Sequence, residues 1–169
     1  MKQLLLFAAI ISVIACNQNN NSALIDKDAI KTEVQEIVDS FLGLAAKADM
    51  KVFDYFADTI NYIGINDGFK LSFADLKQGN AAAFAVLKSQ VFTKKFEELR
   101  VMDKENVLWT WNGDDLITFK NDSTFNTKDY SITALLRKIN SDWKLVYSHE
   151  SFPSSSDFGP MLMKVMEQK

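Results

Sequence analysis

Between Ser131 and Phe152 the chain reads SITALLRKINSDWKLVYSHESF, and no other stretch limits so strongly what it can fold into. Two apolar runs rich in Ile, Leu, Val and Tyr flank Asn140-Ser141-Asp142, the pattern of an antiparallel β-hairpin with a short polar loop. Side chains alternate across a strand, so the second arm puts Trp143, Leu145, Tyr147, His149 and Ser151 on one face. Lys144, Val146, Ser148 and Glu150 share the other. A sheet covered on one side turns its more apolar row inward. The expectation is that His149, the single histidine, is buried at the end of an aromatic row, close to Tyr62 or Trp109.

The beginning of the chain reads differently. Met1-Lys2-Gln3 is a short basic lead, and Leu4 to Ile14 is an apolar run too short to span a bilayer, for which roughly 20 residues are needed. Val13-Ile14-Ala15-Cys16 resembles the lipobox of a bacterial lipoprotein signal, which implies cleavage before Cys16 and acylation of that cysteine. The organisation expected is a signal peptide over 1–15, a lipidated cysteine and polar tether over 16–25, a folded domain over 26–152 and a tail over 153–169. Asn17 is not the aspartate that resembles an inner-membrane retention signal, which favours the outer membrane within the cell envelope.

With Cys16 acylated, no thiol remains for disulfides, catalysis or metal binding. Loss of Lys2 with the signal takes the formal charge from −3 to −4, a mildly acidic balance that argues against a nucleic-acid partner. Stability then rests on the core, for which 47% hydrophobic residues are a generous supply.

Along the domain, Ile30, Val34, Ile37, Val38, Phe41 and Ala45 follow helical spacing after Asp26 or Asp28, either of which can cap a long amphipathic helix. Asp49 opens a shorter helix that buries Val52, Phe53 and Phe56. Thr59 to Gly64 reads as a strand, and Asn66-Asp67-Gly68 as a turn. Ser72-Phe73-Ala74-Asp75 is a capping box for a third helix, with Phe73, Leu76, Phe84 and Leu87 inward. Strands follow over 92–102, 106–111 and 116–119, then the hairpin. Asn112-Gly113 suits either a hairpin turn or a bulge. Met161 to Met166 has the character of a short docking helix.

Helices first and antiparallel strands afterwards make an α+β domain whose sheet is covered by those helices. The element order, together with Trp143-Lys144-Leu145-Val146-Tyr147-Ser148-His149-Glu150-Ser151 at its end, resembles the SnoaL-like branch of the NTF2-like superfamily. That resemblance implies a cone: a curved, antiparallel-rich sheet wrapped round a long N-terminal helix with two further helices, open at one end to a pocket.

Ketosteroid isomerases and polyketide cyclases, which the resemblance brings in, use a carboxylate in this cone for proton transfer. In isomerases the base lies near the end of the first strand, here Asn61-Tyr62-Ile63-Gly64, where no carboxylate stands; Asp67 follows in a turn. The pocket residues expected are Tyr62, Trp109, Trp111, Tyr147, His149 and Ser151, with His149 the one candidate for base or ligand contact. Core packing accounts for the tryptophans equally well. Lys94-Lys95 and Glu97-Glu98 read as solvated strand edges. No metal loop, phosphate loop, nucleophile elbow or dinucleotide fingerprint is evident, and no cofactor is expected. Three functions remain open: binding of a small, largely apolar molecule in the cone, isomerase- or cyclase-type catalysis, and partner binding or homodimerisation through the sheet.

Overall fold

The structure is a computed structural model that describes residues 25–58, 61–152 and positions 157, 160, 163–165 and 167. Cys16, the signal and most of the tether lie outside the described residues, as do Thr59, Ile60, Met161 and Met166.

The long helix α1 (Lys27–Ala45) begins where the sequence supplies an acceptor. The Asp26 carboxylate takes the Ala29 N–H at 3.0 Å. Its inward stripe centres on Val34 and Val38, both fully buried, with Ile30, Ile37 and Phe41 partly buried beside them. Asp49 caps a single 3₁₀ helix, Met50–Tyr55, which buries Val52 and Phe53. Helix α2 (Phe73–Phe84) opens on a complete capping box between Ser72 and Asp75. Leu87, expected on its inward side, instead starts a strand.

Six strands form one sheet in the order β2-β1-β6-β5-β4-β3. β1 (Ile63–Asn66) starts later than the Thr59–Gly64 expectation, and it pairs with β2 (Phe69–Leu71) through the two-residue turn Asp67-Gly68, both at positive φ. β3 (Leu87–Val101), β4 (Asn106–Phe119), β5 (Thr124–Ile139) and β6 (Asp142–Ser151) form a long antiparallel meander. The β5–β6 turn is Asn140-Ser141, both at positive φ, since Asp142 already pairs with Ile139.

Two of the irregularities in the sheet bear on the site. Asn112-Gly113 makes no hairpin: β4 runs through it with a register shift against β5 between Gly113 and Asp115. A Cβ on Gly113 would run into the Thr93 carbonyl oxygen and the Trp111 ring, so only glycine lets β3 and β4 approach here. The second is in β6. Leu135 pairs with Tyr147 and Leu136 with Leu145, which leaves Val146 as an extra residue.

That extra residue overturns the expected facing of the final strand. Trp143 and Leu145 point into the core as expected, but beyond Val146 the inward row is Ser148 and Glu150. Tyr147, His149 and Ser151 move to the outer face. His149 is exposed and lies between Thr133 of β5 and Ile65 of β1, away from Tyr62 and Trp109. The strand bends to follow the curved sheet, and a one-residue slip exchanges its faces.

The main core lies between α1, the 3₁₀ helix and the concave face, where Val107, Trp109, Trp111, Ile132, Ala134, Leu136, Trp143 and Leu145 are buried. A smaller cluster joins Val86, Leu87, Ile117 and Phe119 to Val165 of the tail, whose described residues are helical.

Candidate functional site

A cavity of about 150 Å³ opens where α2, the 3₁₀ helix and the ends of the long strands meet. Phe41 and Ala45 of α1, Phe53 and Phe56 of the 3₁₀ segment, and Leu76 and Phe84 of α2 make one wall. Phe92, Ile117, Ile132 and Phe152 make the opposite one. A volume of about 150 Å³ with such walls accommodates a molecule the size of benzene.

Five polar side chains reach this space: Asn80, Gln90, Asp115, Tyr130 and Glu150. Asp115 is placed by plain alternation along β4. Counting by two from Trp109 gives Trp111, Gly113, Asp115, Ile117 and Phe119, every one buried. Asp115 is 2% exposed; its Oδ2 accepts from Gln90 Nε2 at 3.3 Å, and its Oδ1 has no hydrogen-bond partner among the described residues. Removal from water disfavours the ionised form, and the carboxyl is pushed up to about 7.

On the far side, the Tyr130 hydroxyl donates to Glu150 Oε2 at 3.0 Å. Burial raises both groups; the Glu150 charge and hydrogen bond raise Tyr130 further, whereas the hydrogen bond from Tyr130 pulls Glu150 back down and the Asp67 charge pushes it up. The Tyr130 ring stacks on Phe152 with centroids 4.5 Å apart, and the Phe152 N–H donates to Asp67 Oδ1 at 3.0 Å. The turn residue Asp67 thus fixes one wall of the cavity from outside it.

The six residues expected to line the pocket lie elsewhere. Tyr62 is buried against Phe56 and Phe73, hydrogen-bonded to Ser148 Oγ at 2.7 Å, and desolvation pushes its phenol up to about 12. Trp109 and Trp111 belong to the core; the Trp109 indole N–H donates to Glu97 Oε1 at 3.1 Å. Tyr147, His149 and Ser151 stand on the outer face for the reason already given. Asp115 was missed because the break assumed at Asn112-Gly113 interrupted the count along β4. Glu150 was missed because the bulge at Val146 was not counted. Among the described residues no group of His, Cys, Asp and Glu side chains is arranged to hold a metal ion.

The model of the SnoaL-like domain family matches residues 34–155, most of the chain. The chain belongs to the SnoaL-like domain family. Solved structures share the SnoaL-like fold at low sequence identity. A candidate dehydratase of the NTF2-like family from Streptomyces avermitilis has a TM-score of 0.65 at 14% identity, over 76% of this chain and 99% of that one. An NTF2-like superfamily protein from Salmonella enterica serovar Typhimurium gives 0.64 at 16%, over 78% and 96%. A ketosteroid isomerase-like protein from Erwinia carotovora gives 0.60 at 16%, over 73% and 95%. At these identities the likeness concerns the fold alone. No curated protein matches the sequence.

Proposed function

We propose that this SnoaL-like domain, tethered to the cell envelope through an acylated Cys16, binds a small and largely apolar molecule in the cavity that Asp115 faces. The observation that carries this reading is the buried, unpartnered Oδ1 of Asp115, a residue that lines a largely apolar cavity of about 150 Å³. A buried polar atom without a partner costs the fold about 1–3 kcal/mol, and a ligand that supplies the missing hydrogen bond recovers that cost. Apolar walls with a few convergent polar groups are the usual make-up of a small-molecule site.

Proton transfer is the second reading, and one observation favours it. A buried carboxyl held at about 7 is suited to take and return a proton near neutral pH, with the Tyr130 hydroxyl and Glu150 as companions. The relatives described as a candidate dehydratase and as isomerase-like are compatible with it.

The binding reading is tested by calorimetric titration of the full chain with benzyl alcohol, beside the variant Ala83→Leu, which fills the cavity from α2. Saturable binding that weakens about tenfold in the variant, with the far-ultraviolet spectrum unchanged, is expected. Equal binding by both proteins would place the ligand somewhere else.

A further inference from the structure

Resting on that cavity as the binding site, we infer that its natural ligand is a small organic cation: an amine or ammonium group on a compact apolar body. Three independent features of the wall point to it. First, two carboxyl side chains, Asp115 and Glu150, reach the cavity, and none of the described residues lining it is basic. Second, Asp115 lines the cavity and its Oδ1 is buried and unpartnered, so the ionised side chain carries unused acceptor capacity and nothing to donate. Third, much of the apolar lining is aromatic: Phe41, Phe56, Phe92 and Tyr130 all border the same space, and the face of such a ring attracts a cation.

The chemistry decides between ligand charges. An anion would enter against two carboxyls with no cation to receive it. A neutral alcohol can donate one hydrogen bond to Oδ1 but leaves the aromatic walls acting only through contact area. An ammonium donates to Oδ1, pairs with the carboxylate charge and is attracted by the ring quadrupoles. Burying an ion is normally opposed by desolvation, but here the carboxyl has already lost its water in the folded protein. Only the incoming cation has still to be desolvated.

A series of probes with one shape and three charges tests this: benzylamine, benzyl alcohol and benzoate, titrated calorimetrically into the full chain at one pH above that at which Asp115 ionises. Benzylamine is expected to bind about tenfold or more tighter than benzyl alcohol, and benzoate to bind least. Asp115→Asn, which keeps the shape and removes the charge, is expected to bring the affinity for benzylamine down to that for benzyl alcohol. If that variant does not fold, Glu150→Gln should reduce the preference in the same direction. His149→Gln, on the outer face, should leave all three affinities as they are. Benzyl alcohol or benzoate binding as tightly as the amine, or an unchanged preference in Asp115→Asn, overturns the cation assignment and leaves the cavity as a binding site for neutral or anionic molecules. Failure of all three to bind overturns the cavity reading and the cation assignment together.

Discussion

Asp114 and Asp115 are neighbours in sequence and stand on opposite faces of β4, with opposite consequences for their protons. Outside, Asp114 receives Lys95 at 2.6 Å, Lys128 at 3.1 Å and the Asp129 N–H, and these hold its carboxyl down at about 2. Inside, Asp115 has only Gln90 and is pushed up to about 7. One peptide step separates a carboxylate that is ionised throughout the physiological range from one that changes state within it.

That contrast sets the pH dependence of stability. The folded pKa of Asp115 lies above the 3.8 of an unperturbed aspartate, so the folded state binds the proton more tightly. Its contribution is full below pH 4 and is lost as pH rises towards 7, by up to about 4 kcal/mol. Glu150, also raised, acts in the same direction. Denaturant titrations should show stability falling between pH 4 and pH 7, and Asp115→Asn should flatten much of that slope. A wild-type profile that rises across this window would contradict the placement of Asp115.

Tyr62 and Ser148 make a buried hydroxyl pair at 2.7 Å. Tyr62→Phe leaves Ser148 without that partner, and a loss of about 1–2 kcal/mol is expected. Because the phenol is pushed up to about 12, the loss should be the same at pH 5 and pH 8. A difference between the two would mean that Tyr62 titrates.

Phe41 meets Trp109, Phe56 and Tyr55 edge-on, with centroids 5.8 to 6.4 Å apart, where α1 crosses the sheet. Since the residue is only partly buried, Phe41→Ala should cost about 3 kcal/mol, the lower end for truncating a phenylalanine. A loss below about 1 kcal/mol would place the ring outside the packed stripe.

Much of the architecture was legible because its signals are local. The Asp26 and Asp49 caps, the Ser72–Asp75 box and the Asn140-Ser141 turn each depend on residues within a few positions of one another. Unbroken counting from Trp109 would also have reached Asp115, but the break assumed at Asn112-Gly113 hid it. The facing of His149 and Glu150 was not. Val146 is one more β-branched residue in a β-rich strand, and nothing beside it in sequence marks it as the extra one. Its bulge answers to the curvature that β5 and β6 must adopt together, which is a property of the whole sheet.

Replacing Cys16 with Ser tests the proposed anchor separately from the domain. The variant is expected to leave the membrane fraction or to accumulate unprocessed. A variant that is both processed and membrane-bound would contradict acylation at that cysteine.

Methyl-resolved NMR during titration with benzyl alcohol reads the cavity directly. Saturable shifts are predicted for the methyl groups of Leu76, Leu87, Ile117 and Ile132, which line the cavity from α2, β3, β4 and β5. Ile65, beside His149 on β1, should stay unmoved. Shifts confined to Ile65 and its neighbours on the outer face, with the four cavity residues silent, would contradict the account.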